Sequence, residues 1–558
     1  MDLWKEANRQ SGKCAVDAIL AVDAVAFKPS ISISEEGLVT GLEIERHDDH
    51  QSTYQSLIDS QFEDPSMMEQ FLKENWDAVH SNLFVFHIQP IRYDLSCAVV
   101  HVLPSSSGKS NDEVIELLEM ISDIVQQNKT FNVIGWAYDG DSAYNSIVNC
   151  FVERNIHSIS QTVFTGHFDI KDIEFPLQIP DLLHVLKRFR YRLIGKVLVV
   201  GPFPQHQILE LSKLKQLLEL PSAVFDTSRF SKMHDSLPLT LFSINVLWQL
   251  FSREHITEFF ALFPVSMFLA AIEVEQLSTH DRLFLLQIAL IMLFLYDLLT
   301  HDQPITDVFD KPRDGQLGNL YSRDLHRDMI AAIFSFIIVL RYCPSHLHLN
   351  RLSSNPLEHL FGRSRCRAKD VQTMQRFVKS FATDTLKQIV KNITNFEKPL
   401  RSRRSVGCRV SRNEEDKIVV ETTPIEVCIW IFGCAGYKME HVVQLSEIRC
   451  NRETIETVLL ILQQLKNTQV SPPKYNTSNK VLMGLYTNLR SNKLLSLKEE
   501  MAENSFAKEV MSVLTSLLGR KLPLAKLREL VSFGASSAGL IPPASNKKAE
   551  LILWIQIN

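Results

Sequence analysis

The chain changes character partway along, and that change limits its possible folds more than any other feature. Up to about residue 200, short apolar runs of strand character alternate with stretches of helical spacing; from about 181 to 395 the apolar spacing is helical almost throughout. Alternation of the first kind builds an α/β layer, and a run of consecutive long helices cannot join the same sheet. The chain is therefore expected to hold an α/β unit with a helical unit beside or inside it.

In the first part, Cys14 to Phe27 (CAVDAILAVDAVAF) and Gly37 to Ile44 (GLVTGLEI) read as two strands of a hairpin, followed by extended segments at Asn82–Pro90 and Leu95–Leu103. Asp112 to Gln127 carries Val114, Leu118, Ile121 and Val125 at helical spacing. Phe131 to Tyr138 (FNVIGWAY) is a short apolar strand, Ala143–Glu153 a helix and Ser158–Thr165 one more strand. The expected long helices are Asp181–Ile194, Gln207–Leu220, Leu239–Leu262, Arg282–Leu299, Arg327–Leu340 and Val371–Ile393. An arginine-rich stretch (KPLRSRRSVGCRVSR, 398–412) then reads as a linker or basic loop, and the strand-like IVVETTPIEVCIWIF begins a mixed C-terminal region.

Composition removes several classes of function. With 558 residues and ordinary apolar and charged content, the chain is neither a single small module nor disordered. A net charge of -5 excludes a globally basic nucleic-acid binder, so any basic surface has to be local. The nine cysteines are scattered without C-x-x-C or zinc spacing, which suits a reducing compartment. The most apolar stretch, Leu283 to Tyr296, is shorter than the ~20 residues of a membrane span and reads as a buried helix.

Four places carry candidate chemistry. Pro104 to Ser110 (PSSSGKS) lies where a phosphate-binding loop would, but the first glycine of that motif is replaced by Leu103, so a plain strand-to-helix loop is the stronger reading. Asp23 sits inside the apolar run ILAVDAVAF, and Asp139 follows the strand VIGWAY ahead of Gly140. A carboxylate in a buried strand costs several kcal/mol unless it is paired or binds a metal; singly, Asp23 also reads as an edge-strand surface residue and Asp139 as a helix cap. Asp181, His184, Lys187 and Arg188 share one face of a basic helix (DLLHVLKRFRYR) that suits phosphate contacts or, more simply, water. In LSSNPLEHLFGRSRCR, Glu358 lies in the first turn of a helix started by Pro356, followed by Arg363, Arg365 and Arg367.

Taken in order, these segments resemble the DDE transposases with an RNase H-like core, and are closest in wording to the P-element-type and THAP-related branch. LAVDAVAF with GLVTGLE matches the segment of the first aspartate, giving Asp23; AYDGDSAYN matches the second, giving Asp139 with Asn145, and with Asp141 as a close competitor. DLLHVLKRFR matches the family's D-x-x-H helix at Asp181, His184, Lys187 and Arg190, and NPLEHLFGRSR its last catalytic helix at Glu358, Phe361, Gly362 and Arg365. KMHDSLPLTLFS, with Lys232, Met233 and Ser243, resembles a helix of the family's insertion. Two departures stand out: Asn355 replaces an acidic residue frequent in the family, and no Cys/His pattern of a THAP finger precedes Asp23.

The resemblance implies an α/β fold: an RNase H-like core (1–200) interrupted by a long helical insertion (201–345), completed by the last catalytic helix (346–396), with a C-terminal region (397–558) of unassigned role. It implies Asp23, Asp139 and Glu358 as ligands of Mg2+ or Mn2+, and two-metal phosphoryl transfer that cuts and joins DNA strands. It further implies His184, Lys187, Arg188, Arg363 and Arg365 as DNA-backbone contacts, transposon ends and target DNA as partners, a homo-oligomer, nuclear localisation without membrane attachment, and GTP as a possible cofactor with no residues assigned. The alternative is a domesticated, catalytically silent protein that binds DNA or another protein.

Overall fold

The computed structural model describes residues 16–26, 32–33, 39–40, 82–91, 97–105, 111–127, 130–139, 144–194, 197–200, 208–218, 220–226, 228, 234–274, 277–300, 317–342, 349, 352–354, 356–358, 360–362, 422–437 and 449–467. Along the chain these form β1 (Val16–Ala26), β2 (Ser32–Ile33), β3 (Val39–Thr40), β4 (Asn82–Pro90), β5 (Ala98–Ser105), α1 (Asn111–Gln127), β6 (Phe131–Tyr138), α2 (Asn145–Arg154), α3 (Ile156–Thr165), β7 (Leu177–Pro180), α4 (Leu182–Leu193), β8 (Val197–Val199), β9 (Ile208–Glu210) and α5 (Leu211–Leu217). There follow α6 (Ser236–Leu241), α7 (Ile244–Ser252), α8 (Ile256–Glu273), α9 (Thr279–Thr300), β10 (Leu317–Asn319), α10 (Arg323–Tyr342), α11 (Pro424–Cys434) and α12 (Arg452–Asn467).

The main sheet has five strands in the order β5-β4-β1-β6-β7. β4 runs antiparallel to both β1 and β5, whereas β6 is parallel to β1 and β7 parallel to β6. β1 is the central strand, and Ala18 to Val22 are fully buried because both faces of the sheet are covered. That double covering explains why β1 and β4 read as continuous apolar runs rather than alternating ones.

A large core joins the sheet to the helices: Phe84, Phe86, Val114, Leu118, Val148, Ile159, Leu186 and Phe334 belong to a single cluster. α10 packs against β7, α2 and α4, α9 packs between α8 and α10, and α11 and α12 close on α9 and α7. Residues beyond 397 thus contribute at least two helices to the same packed body. α8 is apolar all round and buried throughout its middle, which suits a helix with neighbours on every side. Its C-terminal end is closed by Arg282, whose buried guanidinium donates to the carbonyls of Ala271, Val274 and Leu277.

Several sequence expectations are corrected. β3 pairs with β2, and β1 takes β4 and β6 as neighbours, so the early hairpin is not made by β1. Ser158–Thr165 is helical, within α3: Ser158, Ile159, Thr162 and Val163 form its buried face, a helical spacing masked by the β-branched Ile159, Thr162 and Val163. The strand next to β6 is instead the four-residue β7, too short to read between Pro176 and Pro180. PIEVCIWIFGC is α11 rather than a strand; Thr423 and Glu426 form a reciprocal capping box with Pro424 in the first turn. Residues 208–210 are β9, leaving a shorter α5, and the expected helix 239–262 is broken into α6, α7 and the start of α8.

The apolar stretch 283–296 lies within a helix of 22 residues, longer than the bare apolar run suggested. By length and composition α8 and α9 could each cross a membrane, but 83% and 61% of their apolar windows are buried inside the fold. Val371–Ile393 and the arginine stretch at 398–412 lie outside the described residues.

Candidate active site

The parallel pairing of β1 and β6 brings the first two aspartates together. Ala21 faces Ala137, and continuing that register sets Asp23 level with Asp139 on the next strand, where neighbouring chains lie about 4.8 Å apart. Gly135 makes the neighbouring pairing possible. A Cβ there would lie 2.9 Å from both the Cβ and the carbonyl oxygen of Leu177, so only glycine lets β7 close on β6 in this register. β7 then ends beside Asp139, the Asp181 amide donating to the Tyr138 carbonyl at 2.8 Å.

Glu358 reaches the same place by way of β1 and β4. Leu357, Leu360 and Phe361, on helical residues 356–358 and 360–362, pack on Val25 of β1 and Leu83 and Val85 of β4, in a small cluster separate from the main core. Val85 is also the direct cross-strand partner of Asp23. The spacing Leu357, Leu360, Phe361 is one stripe of a helix, and Glu358 is turned off that stripe.

His184 faces Glu358. The α4 start is capped by Asp181, whose Oδ1 accepts from the His184 amide at 3.1 Å. One turn in, His184 Nε2 lies 2.9 Å from Glu358 Oε1, with both side chains about 30% exposed. Burial works against charge on His184, but the Glu358 hydrogen bond and the Asp181 carboxylate outweigh it and raise the pKa to about 9. The pair therefore carries a shared proton near neutral pH.

Burial is also the main cause that pushes Asp23 up to about 8, and the Asp139 carboxylate adds to it. The 2.7 Å hydrogen bond from the Ala24 amide opposes the rise, Glu358 reinforces it and His184 counters it. Three carboxylates thus crowd one edge of the sheet, with one imidazolium among them. Asp181 is raised chiefly by burial, opposed by His184.

The rest of the basic helix is used internally. Lys187 is 2.6 Å from Asp235, and Arg188 pairs with buried Asp328. Arg190, fully buried, donates to the carbonyls of Ala223, Val224 and Asp226; Arg192 donates to those of Asn319 and Leu320. The sequence signal of a basic face was real, but its partners come from distant segments. Arg363, Arg365, Asn355, Gly140, Asp141 and Lys232–Met233 lie outside the described residues, as does the loop 106–110.

Sequence reasoning missed two members of this site in their actual roles. His184 meets Glu358, and Ser354 hydrogen-bonds Asp181 from Oγ to Oδ2 at 3.1 Å. Asp-x-x-His at a helix start was the available signal for the first; nothing local signals the second.

The donor set suits a hard divalent cation: carboxylate oxygens, with burial first and the neighbouring Asp139 carboxylate second holding the Asp23 proton. Among the described residues, no three such side chains already converge to ligand distance, and Glu358 is held by His184. The residues fit the chemistry of an ion without being drawn together around one.

No protein-family model and no curated protein matches the chain. Among solved structures it is similar to one titled "Drosophila P element transposase strand transfer complex", with a TM-score of 0.43 and 11% identity over 67% of this chain and 78% of that one. The likeness is distant.

Proposed function

We propose that the chain is a transposase-type phosphoryl transferase, or descends from one, with Asp23, Asp139 and Glu358 as its D-D-E carboxylates. One observation carries this reading: two aspartates level on adjacent parallel strands, with a glutamate brought over the same edge by a helix packed on β1 and β4. The strand order β5-β4-β1-β6-β7, antiparallel on one side of β1 and parallel on the other, supports an RNase H-like core. In this reading residues 201–345 are an insertion between Asp139 and Glu358, and 346–396 return the chain to the core.

Asp23, Asp139 and Glu358 would hold Mg2+ or Mn2+. Bound there, a divalent ion supplies activation of an attacking hydroxyl and stabilisation of the leaving oxygen in displacement at phosphorus. The remaining work belongs to the chain. Asp23 gives up the proton that burial and crowding make it keep, and the His184 imidazolium fixes the direction of Glu358 and offsets its charge. Lys187 and Arg188 reach a DNA backbone only by leaving Asp235 and Asp328; Arg363 and Arg365, which follow Glu358 in the sequence, are the other phosphate contacts of this reading.

A silent DNA- or protein-binding role is the second reading, favoured by the His184–Glu358 pair, which occupies one carboxylate. The deciding experiment is a Mg2+- or Mn2+-dependent nicking and strand-transfer assay on transposon-like DNA flanking the gene, with Asp139→Ala and Glu358→Ala. Metal-dependent cleavage lost in both variants supports the transferase. DNA binding without cleavage supports the silent binder, and the absence of both activities makes the resemblance a record of ancestry alone.

A further inference from the structure

Ser354 and Asp181 form a closed ring of contacts with the two polar groups of the site. The Ser354 hydroxyl donates to Asp181 Oδ2 at 3.1 Å, and the Ser354 carbonyl accepts from the Glu358 amide at 3.2 Å. Asp181 Oδ1 accepts from the His184 amide at 3.1 Å, and the His184 ring meets Glu358 Oε1 at 2.9 Å. Ser354 and Asp181 are 0% and 1% exposed, while the His184–Glu358 side opens to solvent. The cavity beside Asp181 is about 10 Å3, the room of a single water.

The two halves of the ring are far apart in sequence. Asp181 is where the chain leaves the sheet for the helices, and Ser354 is where it comes back, 173 residues later. The one bond between their side chains therefore latches the exit of the helical region to its entry, directly behind Glu358.

We propose that Asp181 and Ser354 are positioning residues that fix Glu358 over the Asp23–Asp139 edge through this ring, and so tie cation binding to the seating of the helical region. The inference rests on the D-D-E reading above. It differs from a plain stabilising contact because the bond acts on both supports of Glu358, its helix start and its imidazole partner. Loss of the latch frees Glu358 while the cluster of Leu357, Leu360 and Phe361 still holds the helix on the sheet.

The test is Mn2+ titration calorimetry on the full chain, with thermal unfolding measured in parallel, for wild type, Ser354→Ala, Ser354→Thr and Asp181→Asn. Asp23→Asn serves as the site control. Outer supports of metal ligands typically matter by 10- to 100-fold, and Ser354→Ala should weaken Mn2+ by roughly that much with little change in melting midpoint. Ser354→Thr, which keeps the hydroxyl, should restore most of the affinity, and Asp181→Asn, which keeps an acceptor for the His184 amide, should fall between. Wild-type binding that Asp23→Asn abolishes but Ser354→Ala leaves intact overturns the latch alone. Absence of wild-type binding above the Asp23→Asn control overturns the D-D-E reading, and the latch with it. A Ser354→Ala loss matched by an equal loss in Ser354→Thr also overturns the latch, since the hydroxyl is then not what matters.

Discussion

Two clusters of very unequal size hold the main sheet. One is a core that takes in both sides of β1 and runs without a break through α1, α4, α8, α9 and α10. The other, further along the face that carries Asp23, is a separate cluster of six buried side chains, and half of those belong to the helical turns that bear Glu358. Asp23 and Asp139 are thus fixed by the part of the molecule with most to lose on unfolding, and Glu358 by a contact that a single side chain can upset. Stability and site geometry should therefore be separable by mutation.

The largest expected effect lies in the main core. Phe189 of α4 is fully buried, stacked on Phe242 at 5.2 Å and tilted against Tyr321. Phe189→Ala should cost about 3–5 kcal/mol, seen as a lower denaturation midpoint by circular dichroism. In the smaller cluster, Leu357→Ala removes a side chain with 0% exposure and should cost about 2–4 kcal/mol at most. The contrast is in what is lost: Leu357→Ala should lower Mn2+ affinity more than the midpoint, and Phe189→Ala the reverse. Equal changes in both quantities for both variants would show that the clusters do not act separately.

Gly135→Ala tests the junction of core and site, because the added methyl meets Leu177 at 2.9 Å where β7 closes on β6. Overpacking of this kind costs about 1–3 kcal/mol. The strain should also shift Asp181, which follows β7 directly, so hydrogen exchange at residues 177–186 should quicken ahead of that in β4 and β5. Unchanged exchange there would mean that the β6–β7 register does not depend on this glycine.

The sequence made most of the main core readable and little of the site. β4 and β6 appear within the residues their apolar runs mark, because strands buried on both sides need nothing but apolar residues bounded by turns. α3 and α11 were misread for the opposite reason: Ile, Val and Thr suit strands locally, and packing overrode that preference. Thr423 with Pro424 and Glu426 was a legible helix start that the β-branched run obscured. At the site, Asp23, Asp139 and Glu358 stood out individually as carboxylates in apolar or helix-start settings. Their meeting, the inward use of Arg190 and Arg192, and the Ser354–Asp181 bond depend on partners far away in sequence, which no local pattern encodes.

The effect most specific to the carboxylate edge is the pH dependence of the cation-free protein. Asp23 ionises near 3.8 in an unfolded chain but near 8 when folded, so between those values the folded form holds a proton that the unfolded form has released. Proton linkage then makes stability fall as pH rises through that window. His184 acts in the same sense over a higher range: raised from 6.5 to about 9, its contribution is complete below 6.5 and is lost as pH climbs through 9. The melting midpoint should accordingly decline from pH 5 to pH 9, with Asp23→Asn flattening the lower part and leaving the upper part in place. Mn2+ should raise the midpoint more at pH 8 than at pH 5, since at the lower pH it competes with the Asp23 proton. A midpoint that is flat from pH 5 to pH 8 in wild type, or declines equally in Asp23→Asn, would mean that burial and the neighbouring carboxylates do not make Asp23 hold its proton. The edge of the sheet would then have no electrostatic reason to take up a cation.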